Sequence, residues 1–574
     1  MNNRDVAGSL DEIAELLELK GESTFRIRAY QNAGRAVENF PEDVNAVALR
    51  GDLTHIPGVG KGLAEKIHEL LTTGRMRYLE ELRSDFPGDV RSLLQVPGVG
   101  PTLARRAFRE LHVTNLDDLR TAAEDGRLAG LSGMGQKTAE NVLRGLGRVN
   151  KRVARIPLDV AWTQVEEIMG QLVPGELFDD LTPAGSLRRW APTIGDVDLI
   201  ATTTRVSEAM QAFAGLPQVK DVLGTGQTKT SIVTDNGLAV DLRLVQAEEF
   251  GSLLQHFTGS KDHNIQLRDF ALRQGLSLSE YGITSIETSK RENFRDEVAF
   301  YQRLGLEWVS PELREGLGEI EAAQQGLLPD LVEVSDIKGD LHAHTDWSDG
   351  SVSIEAMVAA AKERGYQYIA ITDHSGGIGV AHGLTPERLL EQIARVEQLR
   401  KEIRGIRIMT GTELEIKRDG TLDFPDEVLA KLDWVIASVH SGFNQTEQQM
   451  TARIVRAMEN PHVDAIGHPT GALIGRREPY AVDLETVFQA AARTETALEI
   501  NAQPSRLDLV DVHARRAKDL GVTLVIDTDS HAPGQLSHMR YGVEMARRAW
   551  AEASDVLNTR TADELRVYLK RVAP

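Results

Sequence analysis

Nine side chains able to bind metal fall between residues 342 and 531 of this 574-residue chain: His342, His344, Asp349, His374, Glu413, His440, His468, Asp529 and His531. Nearly all stand at, or just beyond, the end of a short apolar run. The runs are IKGDLHAH, YIAITDH, IRIMTGTEL, WVIASVH, DAIGHP, ALEIN and TLVIDTDSH. Stretches with helical periodicity separate most of them. Strand followed by helix, repeated, predicts a parallel barrel whose C-terminal strand ends share one face. Nine donors arriving at that face exceed the needs of one ion. The pattern predicts two or three divalent metals and a metal-assisted hydrolysis.

The chain has no cysteine. Disulfides and zinc–thiolate sites are therefore excluded, and metal ligands must be imidazole and carboxylate. The length is too great for one hydrophobic core and predicts three or four domains. There is no apolar signal core and no run long enough to span a bilayer, so the expectation is a soluble cytoplasmic chain without a membrane partner. The net charge is −21, but it is unevenly spread: residues 1–150 carry 20 basic and 22 acidic side chains, and residues 151–335 carry 17 and 28. Phosphate contact needs local donors and not a positive total, so the acidity does not decide against a nucleic-acid partner.

Backbone donors are plentiful in the first region. IPGVGKGLAEKI at 56–67, VPGVGPTLARRA at 96–107 and LSGMGQKTAENV at 131–142 repeat one pattern. Each places a Gly-x-Gly turn (Gly58 and Gly60, Gly98 and Gly100, Gly133 and Gly135) before a helix, with Ala64, Ala104 or Ala139 where paired helices would approach. Glycine permits the tight turn, and the following helix begins with unpaired N–H groups that can hold a phosphate without reading sequence. A single copy would serve equally well as a plain connector; three in register favour DNA-backbone binding. They resemble helix-hairpin-helix motifs. Lys66, in the first of these helices, is either a solvated charge or an amine placed near a bound phosphate, where it could attack a sugar aldehyde.

In the middle of the chain, GSLRRWAPTIGDVDLI spans residues 185–200. Asp196 and Asp198 alternate with Val197 on an expected strand, so the carboxylates share one face. LAVDLRLV at 238–245 adds Asp241 from a second strand. Three carboxylates on adjacent strands can hold two magnesium ions for in-line phosphoryl transfer. Gly185-Ser186 and the Arg188-Arg189 pair offer a grip for a triphosphate. D-x-D alone would suit a solvated sheet edge; the added features favour the metal reading.

At this point the chain resembles the family X DNA polymerases of bacteria that carry a C-terminal PHP (polymerase and histidinol phosphatase) domain, along essentially its whole length. The resemblance implies a helical helix-hairpin-helix N-terminal region, a mixed α/β nucleotidyltransferase palm with a thumb, and a seven-stranded distorted TIM-like PHP barrel. The expected boundaries are 1–85 (lyase-like), 86–150 (fingers-like), 151–255 (palm), 256–318 (thumb), 319–335 (linker) and 336–574 (PHP). It implies short-gap DNA repair synthesis with Mg²⁺ or Mn²⁺ at Asp196, Asp198 and Asp241. It also implies 3′→5′ exonuclease action in the barrel, with Mn²⁺ preferred over Zn²⁺ or Fe²⁺, and 3′-phosphatase or abasic-site incision beside it. Gapped, nicked or primer-template DNA and deoxynucleoside triphosphates are the implied partners of a monomer in the cytoplasm, at the nucleoid.

Residue by residue, Ser186 and Arg189 match triphosphate contacts. His256 and Phe257 match the sugar-checking turn, Asn264 a base-edge contact, and Arg268 a template-facing position. Read from the residues alone, Phe257 could be a core aromatic and Asn264 a helix cap, because TGS and DHN both mark turns. Lys66 matches the deoxyribose-phosphate lyase nucleophile and Tyr30 an aromatic beside it. His256 stands where the family has tyrosine, which weakens the expected exclusion of ribonucleotides. Trp190 replaces a glycine, and Gly62 and Arg26 replace lysines of the lyase site. Two other readings stay open: a DNA-end-processing nuclease whose polymerase half only binds DNA, and a non-catalytic repair scaffold. Asp373, Glu415, Glu499 and Asp527 are expected to support the metal ligands, and Arg506 either meets a phosphate or is an ordinary surface arginine.

Overall fold

Amphipathic helices build the first of two units, residues 1–154. The structure is a computed structural model that describes residues 1, 3–38, 40, 44–86, 89–96, 99–131, 133–149, 155–377 and 381–569. In the first unit, Val6, Leu10, Ile13 and Leu17 recur at helical spacing along Asn3–Lys20. They share one buried cluster with Leu103 and Ala107 of Pro101–Leu111 and Val142 of Gln136–Val149. The core therefore runs across the boundary expected at residues 85 and 86 without a break.

The second unit, residues 155–574, holds three further parts. The palm is a five-stranded mixed sheet in the order Asp180–Pro183, Asp196–Thr202, Ala239–Val245, Lys229–Thr234, Val219–Thr225. Its two central strands run parallel, with Asp198 directly opposite Asp241. Val197, Leu199, Val240 and Leu242 are buried on the opposite face, as the alternation requires.

The thumb packs helix Lys261–Arg273, a three-stranded antiparallel sheet and helix Glu297–Arg303. Helix Glu319–Gln325 belongs to it as well: Ile320 and Ala323 are buried in the thumb core. Glu319 accepts from His263 Nδ1 at 2.7 Å, and His263 Nε2 meets the Tyr301 hydroxyl at 2.7 Å. The stretch 319–335 thus begins as part of the thumb and not as the expected linker. Helix Lys261–Arg273 is capped by the Ser260 hydroxyl, which accepts from the His263 N–H. TGS is therefore the turn, and DHN already lies inside the helix, so Asn264 is not a cap.

The seven apolar runs form seven parallel strands in sequential order: Gly339–Ala343, Tyr368–Ile371, Arg407–Glu415, Trp434–Ser438, Ala465–Ile466, Ala497–Asn501 and Leu524–Asp527. A parallel bridge between Ala343 and Ser530 draws the first and last strands together, and the barrel is nearly closed. The apolar cluster is continuous from the palm (Leu158, Val165, Phe213) into the barrel (Ile369, Leu414, Ile500). Among the described residues no helix is long and apolar enough to cross a membrane.

Candidate active sites

All nine expected ligands meet at the C-terminal mouth of the barrel. Donor atoms of three overlapping groups lie within 4.8 Å of one another: His344, Asp349, His374 and His531; His342, His344, Glu413 and Asp529; His374, Glu413 and His440. His468 completes the set, with Nε2 2.9 Å from Glu413 Oε1. Glu413 sits at the centre. Its Oε2 faces His342, His344 and His374 at 3.3, 3.5 and 2.9 Å, while Oε1 faces His440 and His468, each at 2.9 Å. One carboxylate presenting its two oxygens to two sets of imidazoles is the geometry of a bridging ligand.

The donor set fits divalent metals on an independent count. His342 Nε2 and His344 Nε2 are buried without a hydrogen-bond partner, a costly arrangement unless a cation takes their lone pairs. Burial pushes the carboxyls of Glu413 and Asp529 up, but the surrounding imidazoles outweigh it and hold both well below the usual range. His468 and Asp529 adopt left-handed backbone, φ 29° and 49°, which costs a non-glycine residue roughly 1–2 kcal/mol.

The supporting carboxylates divide into two kinds. Glu499 accepts from His342 Nδ1 at 2.7 Å and from the His468 N–H at 2.5 Å; Glu415 accepts from His440 Nδ1 at 2.9 Å. Each fixes an imidazole so that Nε2 faces the cluster. Asp373 instead gathers Thr345, Ser348 and Gln392, and Asp527 accepts the Leu341 N–H. These two shape the loops and touch no ligand ring. Glu499→Gln should therefore cost about 10–100-fold in metal affinity, measured by competition with a chelator; unchanged affinity would contradict the assignment. Arg506 also lines the cavity of about 250 Å³ above the ligands. Its Nε lies 3.6 Å from Asp529 Oδ2, and its buried Nη1 has no partner.

In the palm, Asp198 and Asp241 stand side by side, but both are engaged by cations. Arg243 Nε donates to Asp198 at 3.0 Å, and Lys229 Nζ lies 2.5 Å from Asp241. Asp196 is exposed at the strand start. Burial raises the Asp198 carboxyl pKa against the pull of Arg243, and the neighbouring Asp241 and Asp196 raise it further. Two carboxylates paired with basic side chains, beside a third that is exposed, suit divalent ions, which would replace those partners. Gly185 (φ 67°) brings its loop to Asp198: a methyl group there would lie 3.9 Å from Oδ2. Ser186 follows Gly185 in this turn, and its carbonyl accepts from the Ala191 N–H at 3.0 Å.

Arg189 is not a free phosphate grip. Its guanidinium is buried, donating to Glu315 at 3.1 Å and to the Thr258 carbonyl at 2.5 Å. Arg188 is likewise forked onto Glu297. Phe257 lies under the Arg243 guanidinium, 4.1 Å from the ring centroid, and His256 packs edge-on to it. Asn264 donates to the His256 carbonyl at 2.8 Å and accepts from Gln255 at 2.8 Å, so it ties the turn to the thumb helix. Arg268 is exposed. Trp190 holds the left-handed conformation (φ 54°) that suits a glycine. Stacking on Trp162, with Tyr541 edge-on from the barrel, compensates.

In the first unit, Lys66 Nζ donates to the Gly62 carbonyl at 3.1 Å and lies 5.4 Å from the Tyr78 ring centroid. Tyr30 is buried behind Tyr78, stacked on it at 6.0 Å, and Arg26 donates to the Tyr78 hydroxyl. The hairpin glycines have unlike roles. Gly58 and Gly133 are left-handed (φ 78° and 77°), whereas Gly60 and Gly100 cap helices in extended backbone (φ −77° and −81°). Around Gly60, Gly100 and Gly135 an added methyl group would meet no atom within 4 Å. Gly98 lies outside the described residues.

Residues 1–76 match the helix-hairpin-helix domain family, 90–148 the SAM-like helix-hairpin-helix tandem, 253–315 the DNA polymerase beta thumb and 340–503 the PHP domain. The DNA polymerase/3'-5' exonuclease PolX of Bacillus subtilis is 41% identical over 573 residues, covering 100% of both chains. The chain belongs to the PolX family. Its barrel region is also 30% identical to probable phosphatases of Thermoanaerobacter sp. and Shewanella sediminis, over 40% of this chain and 94% and 93% of theirs.

Within this PolX-family chain, several residues that shape the sites escaped sequence reasoning. Arg243 was within reach, because it lies two positions after Asp241 and so on the same strand face. Lys229 and Tyr78 carry no local signal; only the strand register and the helix packing bring them to Asp241 and Lys66. Arg453, which donates to Glu415 from helix Glu447–Met458, is equally silent in sequence.

Proposed function

We propose that this PolX-family chain fills short gaps in DNA by nucleotidyl transfer at Asp196, Asp198 and Asp241, and removes 3′-terminal nucleotides at the barrel cluster. The observation that carries the reading is the pairing, in one chain, of a palm where Asp198 stands opposite Asp241 beside the exposed Asp196 with a barrel whose imidazoles and carboxylates cluster at one mouth. The full-length relative whose name joins both activities supports it. Mg²⁺ or Mn²⁺ suits the palm carboxylates. The mixed imidazole and carboxylate set of the barrel suits Mn²⁺, with Zn²⁺ or Fe²⁺ as competitors. When bound, the metals activate the nucleophile and stabilise charge on the phosphoryl oxygens.

The remaining work falls to the chain itself. Ser186 and the backbone of its loop hold the triphosphate beside Asp198. Arg243 rests on Phe257 and can release Asp198 without losing its aromatic partner. In the barrel, Arg506 lines the cavity beside Asp529, where its guanidinium can meet the phosphate being cleaved. Removal of a 3′-terminal phosphate is the companion reaction favoured by the phosphatase-like relatives. Lys66, beside Tyr78, is assigned as the nucleophile of a 5′-deoxyribose-phosphate lyase. The chain acts as a monomer in the cytoplasm, at the nucleoid, on gapped, nicked or primer-template DNA.

A 5′-labelled primer annealed across a short gap tests the reading, with Mg²⁺ or Mn²⁺ and with or without dNTPs. Extension with nucleotides and shortening without them are expected; failure of either removes that half of the proposal. The hairpins give a separate prediction. Gly58→Ala places a methyl group in left-handed backbone and should destabilise the first unit by about 1 kcal/mol, read from chemical denaturation. Gly60→Ala should fold normally yet weaken binding to gapped duplex of any sequence, because its methyl group obstructs the helix start offered to phosphate. Wild-type affinity in folded Gly60→Ala would overturn the anchoring role.

A further inference from the structure

The helix Met539–Arg548 belongs to the barrel, yet its last residue reaches the polymerase half. Gly542 packs so closely on the barrel that a methyl group there would lie 2.5 Å from Ile526 and 2.7 Å from Ala502. At the far end Arg548, buried, spans three acceptors. Its Nη1 donates to the Arg189 carbonyl at 2.6 Å and to Glu315 at 2.7 Å, and its Nη2 lies 2.5 Å from Asp511. Glu315 in turn holds the Arg189 side chain. Arg548 therefore fixes both the backbone and, through Glu315, the guanidinium of the residue that ends the loop Gly185–Arg189.

That loop is short and internally tied. The Ala191 N–H donates to the Ser186 carbonyl at 3.0 Å, and the Ala184 N–H donates to the Asp198 carbonyl at 2.8 Å. A shift at Arg189 is thus passed to Ser186 at one end of the turn and to the carboxylate strand at the other. Trp190, wedged between Trp162 and Tyr541, secures the same point from the other side.

We propose that Arg548, a residue of the metal barrel, is a positioning residue of the nucleotidyl-transfer site that sets the triphosphate-binding loop against Asp198. The inference rests on the assignment of the palm carboxylates to nucleotidyl transfer. It makes the barrel a structural part of the polymerase site while leaving the barrel's own ligands untouched. A planar fork that bridges a carbonyl and two carboxylates is specific to arginine; lysine can satisfy only part of it.

The test compares wild type, Arg548→Ala and Arg548→Lys in the full-length chain, by single-nucleotide gap filling over a range of dNTP concentration. A misplaced triphosphate loop should raise the KM for dNTP by about 10-fold or more in Arg548→Ala, with a smaller change in kcat. Arg548→Lys should fall between it and wild type. Shortening of a single-stranded primer and metal content should match wild type in both variants. An unchanged KM in folded Arg548→Ala overturns the proposal. So does equal loss of extension and shortening in both variants, which marks Arg548 as a prop for the whole unit. Absence of extension by wild type would instead defeat the polymerase assignment itself.

Discussion

Replacing Asp196 and Asp198 together by alanine should lower nucleotide insertion by more than about 1,000-fold, because phosphoryl transfer depends almost wholly on positioning and charge stabilisation. Of the triad, only Asp241 would remain, and Lys229 already lies 2.5 Å from it. The fold should survive. Asp196 is exposed, and Asp198 is a half-buried carboxylate whose charge burial disfavours. Arg243, released, keeps its place over Phe257. Primer shortening should remain within about 3-fold of wild type, since no barrel ligand touches these residues. A folded double variant that still extends primers would remove the palm carboxylates from the mechanism.

Glu413→Ala should have an equally large effect on the other activity. Glu413 belongs to two of the three ligand groups and faces five imidazoles. Without it the rings of His342, His344, His374, His440 and His468 confront one another with no anion to join two cations. We expect loss of more than one equivalent of metal by elemental analysis and a fall in primer shortening beyond about 1,000-fold. Gap filling should persist. Retention of the full metal complement in Glu413→Ala would contradict its bridging role.

The barrel was legible because two periodicities coincide in its sequence. Each strand is a short apolar run, and most of the ligands stand at or just beyond a strand end, so topology brings them to one mouth. His342 and His344 share a face of Gly339–Ala343 and the residue after it for the same reason that Asp196 and Asp198 share theirs. What stayed hidden depends on contacts between segments remote in sequence. Arg189 reads as a phosphate grip until Glu315, 126 residues away, is seen to hold it. Residues 319–335 read as a linker because nothing local announces that Ile320 and Ala323 face the thumb core. Gly58 and Gly60 look equivalent in a Gly-x-Gly turn, and only the backbone angles separate the strained position from the helix cap.

Two independent catalytic centres in one chain should come apart in a reciprocal measurement. Asp196→Ala with Asp198→Ala, and separately His344→Ala, would be assayed on one 5′-labelled gapped substrate for both extension and shortening, with metal content and melting temperature measured on the same preparations. The aspartate variant should shorten but not extend, and His344→Ala should extend but not shorten. Loss of both activities in either folded variant would contradict that independence.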